Sequence, residues 1–165
     1  MGTWYGISNT FNSFQLRSKC ARAEYSQSVD TAGSPITNRI NVRNTGFYTL
    51  LPSVQTEAKG YAEPFDAQKA PNKLRLLLTP QLLGYEITTG SEGKYFVLDT
   101  DYRTYSIVYS CTETNLLFFT VKEEFAFVLS RSKRPSNTTI ELVNTKLAAY
   151  IDVKQLIQTD QDCDN

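Results

Sequence analysis

From Gly2 almost to Arg131 the chain is written in short segments whose apolar and polar residues alternate and which stop at turn residues. Period-two alternation sends successive side chains to opposite faces of a strand, so a run of such segments suits an all-β sandwich or barrel. Trp4, Tyr5 and Ile7 open the first segment, and residues 9–19 read as a polar and aromatic loop, a candidate lid. Alternation resumes at Cys20. A turn over 30–35 then leads to a strand over 36–44, with Ile36, Asn38, Ile40, Val42 and Asn44 on one face and Arg39, Asn41 and Arg43 on the other.

The segment 54–61 places Val54, Thr56, Ala58 and Gly60 inward and Gln55, Glu57 and Lys59 outward. Small inward residues leave room for something. A loop over 64–72, a leucine-rich strand over 73–79 and a long connection over 80–93 with three glycines follow. Strands over 94–100 and 104–111 form a tight pair, and 116–131 is the last long strand, with Phe119, Val121, Glu123, Phe125, Phe127 and Leu129 on one face. After Pro135, Thr138-x-x-Glu141 reads as a capping box, and Ile140, Val143, Leu147 and Tyr150 or Ile151 fall at helical spacing, which predicts one helix over 137–150. The tail, 151–165, is expected to form a final strand.

At 165 residues the chain fits one domain, 1–165, with the barrel over about 2–131. An up-and-down meander that closes on itself, with the helix outside, buries these faces and removes the sheet edges. Seventeen basic and seventeen acidic residues cancel, and Lys133-Arg134 is the longest basic cluster, so no nucleic-acid partner is expected. Histidine is absent, which rules out serine-histidine, cysteine-histidine and histidine-zinc sites. Cys20, Cys111 and Cys163 lie too far apart for a zinc or redox pair, and a long-range disulfide fits them better. The opening residues do not read as a signal peptide, while Asn137-Thr138-Thr139 is a glycosylation sequon compatible with secretion.

Three separated motifs carry a resemblance: Gly2-Thr3-Trp4-Tyr5 on the first strand, Thr100-Asp101-Tyr102 in a late turn, and Leu129-Ser130-Arg131 ending the last long strand. Together they resemble the three signature regions of the lipocalin family. Residues 99–111 and 151–163 are similar to apolipoprotein D within it, near the insect bilin-binding and crustacean carotenoid-binding members. The resemblance implies an eight-stranded antiparallel up-and-down β-barrel with one C-terminal helix packed outside. It also implies that Arg131 packs over the Trp4 ring at the closed end, a structural contact worth about 0.5 to 2 kcal/mol. Cys20 is implied to pair with Cys163, a closure worth roughly 4 to 5 kcal/mol. Cys111 matches a cysteine whose usual partner precedes the Gly-x-Trp motif, and only Met1 stands there, so Cys111 is expected to be free.

Taken with alternation, this frame turns Ala21, Ala23, Tyr25, Ile40, Val42, Val54, Ala58, Leu76, Tyr95, Val97, Glu123, Phe125 and Phe127 toward the interior. Such a lining suits a small hydrophobic ligand, although side chains could also fill the barrel themselves. Two greasy connections, 46–52 with Phe47 and Leu51 and 80–85 with Tyr85, read as a portal, with transient lipid or protein contact second. The expected function is extracellular carriage of a bilin, carotenoid, retinoid, steroid or fatty acid. No catalytic residue, metal or required cofactor is expected, and biliverdin or a carotenoid is the candidate chromophore. A lipid-isomerising lipocalin using a thiol inside the barrel, and a protein acting through its apolar loops, are the alternatives. The ligand and the oligomeric state stay open at this level.

Overall fold

The computed structural model describes the backbone of residues 1–11, 18–49, 54–82, 85–86, 91–115 and 120–163, and their side chains apart from 82, 91, 112–115 and 120–123. In chain order the strands are β1 (Gly2–Asn9), β2 (Ser18–Val29), β3 (Pro35–Tyr48), β4 (Gln55–Asp66), β5 (Ala70–Leu82), β6 (Tyr85–Glu86), β7 (Ser91–Thr100), β8 (Tyr105–Asn115) and β9 (Thr120–Ser130). The helix α1 (Asn137–Leu147), a single 3-10 turn (Val153–Gln155) and β10 (Ile157–Gln158) complete it. Every pairing is antiparallel, and β9 returns to pair with β1, so β1–β5 and β7–β9 form a closed eight-stranded barrel. Short β6 adds to β5, and β10 adds to β1.

Several strands run further than their turn-forming residues predicted. Residues 46–48 belong to β3, 64–66 to β4, and 70–72 and 80–82 to β5, where loops were expected. Prolines survive there because their missing N–H groups face no partner. Pro64 pairs with Leu74 of β5 but lies beyond Ile40–Ala62, the last pair that β4 makes with β3. Pro80 pairs with Ala58 of β4 and falls in the gap between Leu78–Ser91, where β7 stops pairing with β5, and Gln81–Glu86, where β6 begins. A proline is tolerated in a strand on such an unpaired side.

The helix ends at Leu147, not at residue 150, and its cap is Ser136, whose Oγ accepts the Thr139 amide at 3.2 Å. Thr138 therefore lies inside the helix and does not cap it. Val143 and Leu147 are buried, whereas Ile140 and Tyr150, expected in the same stripe, are exposed. The buried pair packs on the outside of the barrel against Ile7, Tyr105, Ile107, Ala126 and Val128. Lys146 ties helix to barrel through Asp99 at 2.7 Å, and the Tyr105 hydroxyl donates to the same carboxylate at 2.6 Å. The tail beyond the helix is a 3-10 turn and a two-residue strand, not one continuous strand.

Cys20 and Cys163 are joined by a disulfide across 143 positions of sequence. Cys20 sits at a bulge in β2, between the pairs Lys19–Phe47 and Arg22–Thr45, with φ of 55°. Opposite the bulge, a Cβ on Gly46 would stand 3.2 Å from the Lys19 carbonyl oxygen, so glycine lets β3 pass close to it. Gln161 clasps the same region, its Nε2 donating to the Gly6 and Ala21 carbonyls at 2.6 and 3.0 Å.

The turn between β7 and β8 is built around Asp101, whose Oδ1 accepts the amides of Arg103, Thr104 and Tyr105 at 2.7–3.1 Å. Burial alone would raise its pKa, but these amides and the Thr104 hydroxyl hold the carboxyl well below the usual 3.8. The hydrogen bond from Lys146, then that from Tyr105, lowers Asp99 as well. A depressed carboxylate stabilises the fold above its unfolded pKa, and that contribution is lost as pH falls through the folded value. Asp101→Ala should lower the thermal midpoint at neutral pH, at a cost of about 1 kcal/mol or more. It should also flatten the decline of the midpoint below about pH 4, and an unchanged acid decline in calorimetry would assign that limb to other groups.

Candidate functional site

Pairing across the barrel sorts the expected lining residues into one inner row. Trp4 pairs with Ala23, Ala23 with Asn44 and Asn44 with Ala58; Tyr25 pairs with Val42, which pairs with Gly60. Ile40 and Leu76 both oppose Ala62, and Tyr95 opposes Leu74, Val97 opposes Val108, and Phe125 and Phe127 oppose Ser110 and Val108. Residues paired directly share a face, so Ala23, Tyr25, Ile40, Val42, Ala58, Leu76, Tyr95, Val97, Phe125 and Phe127 all face the interior.

Phe47 does not join them. It pairs with Lys19 and Gln55 and falls one residue beyond inward Gly46, which puts it on the outer face. Val54 precedes β4 and accepts the Tyr48 amide at 3.2 Å, closing the β3–β4 connection. Leu51 lies outside the described residues. Glu123 pairs with Thr112 in the inner register, and its side chain likewise lies outside the description. Of the two greasy connections, 46–48 and 80–82 are strand, and Tyr85 stands 78 % exposed in β6.

The closed end is sealed from several directions. Arg131 stacks over Trp4 with its Cζ 3.7 Å from the ring centroid, the contact the sequence motifs implied. Its Nη1 donates to the Thr3 carbonyl at 2.7 Å, and its Nη2 to Met1 at 2.8 Å. Gly2 has φ of +85°, and a Cβ there would lie 3.3 Å from the Arg131 guanidinium. Thr100 accepts the Tyr102 amide at 2.9 Å and donates to the Tyr105 carbonyl at 2.7 Å, which shapes the Asp101 turn beside this seal. Gly2, Trp4, Thr100, Asp101, Tyr102 and Arg131 thus lie together at the closed end, where Arg131 also reaches the Tyr102 carbonyl at 3.4 Å.

Above the seal, Trp4, Val108 and Leu129 form a small core with Tyr25, Tyr95 and Phe127 resting on it. Tyr25 of β2 and Tyr95 of β7 reach across the interior until their hydroxyls meet at 2.7 Å. Burial pushes both phenols above their ordinary value, Tyr95 the more strongly, so both stay neutral at physiological pH. Two hydroxyls share one hydrogen bond, and the accepting partner keeps a proton to offer elsewhere.

Inner-row Tyr25, Ile40, Leu76, Leu78, Tyr95, Val97 and Phe127 all retain accessible surface, whereas Ile107 and Leu147 under the helix retain none. Ala23, Val42, Ala62, Val108 and Phe125 of the same row are buried, so the interior is filled in part by its own side chains. A cleft of about 570 Å³ is lined by Thr3, Glu24, Ser26, Asn41, Arg43 and Lys59 from the outer row and by only four inner-row residues, so it runs along β1–β4 and is not the barrel's interior.

Asn44 is a functional candidate that the sequence reading left as a mere strand residue. Its Oδ1 is buried without a hydrogen-bond partner, on the inner row between Ala23 and Ala58. Its alternation with Val42 was the available signal. Gly60 needs the opposite correction: its missing side chain does not enlarge the interior. A Cβ there would run into the Leu77 carbonyl group, 2.8 Å from its carbon. Glycine here lets β5 approach β4.

Gly60→Ala should therefore cost about 3 kcal/mol or more, a fall of about 6 °C or more in the thermal midpoint. Ala58→Trp, pointing into open space, should move the ligand-free midpoint by less than about 2 °C while abolishing ligand uptake. Calorimetry and a binding titration on both variants check this, and a large fall for Ala58→Trp with uptake retained would make this face packed core.

The lipocalin-like domain family matches residues 1–161. Apolipoprotein D of Macaca fascicularis is 28% identical over 162 residues, 98% of this chain and 74% of that protein. Among solved structures, insecticyanin from the tobacco hornworm Manduca sexta superposes with a TM-score of 0.73 at 23% identity, covering 96% of this chain and 77% of that one. The tryptamine complex of the amine binding protein of Rhodnius prolixus gives a TM-score of 0.70 at 15% identity, covering 96% and 76% respectively.

Proposed function

The chain belongs to the lipocalin-like family, and on that premise we propose that it carries a small hydrophobic molecule inside its barrel and does no chemistry on it. The observation that carries this reading is the accessible, mostly apolar inner row above a sealed base, with the Tyr25–Tyr95 hydroxyl pair at its floor. A concave apolar site with a few fixed polar groups is what binding and orienting such a ligand requires. The proposed lining is Ala23, Tyr25, Ile40, Val42, Ala58, Leu76, Tyr95, Val97, Phe125 and Phe127, with Asn44 added.

Thiol chemistry in the interior has no support from the cysteines. Cys20 and Cys163 are bonded to each other. Cys111 is free but lies on the outer row, opposite Lys94 and Glu124 and in step with Ile107 under the helix. A disulfide that joins two distant parts of the chain is usual in oxidising compartments, which supports an extracellular site of action.

Within carriage, a bilin or carotenoid pigment is one candidate cargo, because residues 99–111 and 151–163 resemble apolipoprotein D, which stands near the bilin- and carotenoid-binding lipocalins. Retinoids, steroids and fatty acids are the others. Exposed Tyr85 favours transient contact near the mouth as a second role compatible with the first.

Titration with retinol or a fluorescent lipid should quench the emission of Trp4 and the tyrosines and saturate at one ligand per chain. An absorption spectrum of protein purified from its source should show a visible band if the cargo is a pigment. Absence of saturable uptake across retinoids, fatty acids, steroids and bilins would overturn carriage and leave the contact role.

A further inference from the structure

We infer that the interior selects uncharged cargo: an elongated apolar molecule whose neutral acceptor end sits on the Tyr25–Tyr95 hydroxyl pair and whose second polar group meets Asn44, with carboxylate-bearing amphiphiles excluded. The inference rests on the carrier reading and adds to it the charge and polarity of the ligand.

Two polar groups define the axis of the site. At the floor, the hydroxyl pair has one O–H proton left over, which a ligand carbonyl, ether or alcohol oxygen can accept. Higher on β3, Asn44 lies two residues beyond Val42, the register partner of Tyr25, or about 7 Å toward the open end. Its buried Oδ1 has no partner among the described residues, and a buried acceptor left unpaired is costly. A ligand N–H or O–H at that height satisfies it. Between and around the two, the wall consists of Ala23, Val42, Ala58 and Leu76.

Among the described residues no strand cation accompanies these groups: Arg22, Arg43, Lys59, Arg75 and Lys94 all pair on the outer row. Arg43 and Lys59 are engaged on the outer face. Arg43 binds Glu24 at 2.8 Å and Glu57 at 2.5 Å, and Lys59 binds Glu57 at 3.0 Å. Arg131 is committed to Trp4 and to the carbonyls of Met1 and Thr3. Glu123, whose register position falls on the inner row, is an acid and offers a carboxylate no relief. Moving an ionised carboxylate into such a wall costs far more than moving a carbonyl, because nothing there replaces its water.

The test titrates the full-length chain near neutral pH with matched pairs, retinal against retinoate and methyl palmitate against palmitate, and with the hydrocarbon polyene diphenylhexatriene. The neutral member of each pair should bind about tenfold or more tighter than its acid. In the Tyr25→Phe/Tyr95→Phe double variant, retinal should weaken about five- to tenfold while diphenylhexatriene binds as it does to the parent protein. Acids that bind as tightly as their neutral partners would overturn the inference and leave carriage standing. Equal losses for retinal and diphenylhexatriene, or no loss for either, would overturn the role of the hydroxyl pair. Failure of every probe to bind the parent protein would overturn carriage, and the inference with it.

Discussion

The pairing of β1 with β9 is the contact on which the rest of the molecule depends. β1 is shared between two neighbours: residues 2–5 pair with β2, and residues 5–9 pair with β9, with a register shift between Gly6 and Ser8. This staggered sharing lets a flat ladder become a closed barrel, because strands in a barrel must tilt and shear past one another. It also removes the two edges that an open sheet would expose to other chains. The seam is locked at its end by Arg131, which follows β9 directly, stacks on Trp4 of β1 and donates to the carbonyls of Met1 and Thr3.

Closure makes the two faces of one sheet unequal. The outer face has neighbours of two kinds. Under α1 it is dry, with Ile107 and Leu147 at 0 % exposure. Across β2, β3 and β4 it carries a network in which Arg22, Glu24, Arg43, Glu57 and Lys59 are linked in series at 2.5–3.0 Å. Exposed ion pairs contribute little singly, but this network places every strand charge in that region away from the interior. The inner face gathers what remains: small residues, aliphatics, aromatics and polar groups, among them Tyr25, Asn44, Thr56, Tyr95 and Ser110. The site is thus a by-product of where the charges went.

The second constraint is the return of the tail. The disulfide closes a loop of 143 positions, which the chain-entropy account values at about 5 kcal/mol. It does not act alone. The Cys20 amide donates to Asp160 at 2.7 Å, the Thr159 amide to Ile7 at 2.8 Å, and Gln161 bridges Gly6 and Ala21. All of these meet the barrel at the β2 bulge, where Gly6, Ala21 and Gly46 are small enough for three segments to cross. A Cβ at position 6 would stand 3.1 Å from Ala21 Cβ, and one at position 46 would stand 3.2 Å from the Lys19 carbonyl oxygen, so glycine eases the crossing at both.

The order of strands, the single helix, the inner parity of Ala23, Tyr25, Ile40, Val42, Ala58, Leu76, Tyr95, Val97, Phe125 and Phe127, and the link between Trp4 and Arg131 were all legible in the sequence. Alternation is a property of the strand itself, so one residue fixed to a face assigns every other residue on that strand. Apart from the Trp4–Arg131 and Cys20–Cys163 contacts, which the family resemblance implied, what could not be read was set by partners distant in the chain. Strand ends depend on which neighbour stops pairing first, so Pro64 and Pro80 looked like breakers and are strand residues. The helix begins at Ser136 because that hydroxyl reaches the Thr139 amide, where the Thr138–Glu141 spacing pointed elsewhere. Gly60 looked like free space and is a close approach of β5, and Phe47 looked like a portal residue and lies on the outer row. The meeting of Tyr25 with Tyr95, 70 residues apart, and the unpartnered oxygen of Asn44 belong to the closed barrel alone. Local pattern decides which face a side chain takes; only closure of the sheet decides what stands opposite it.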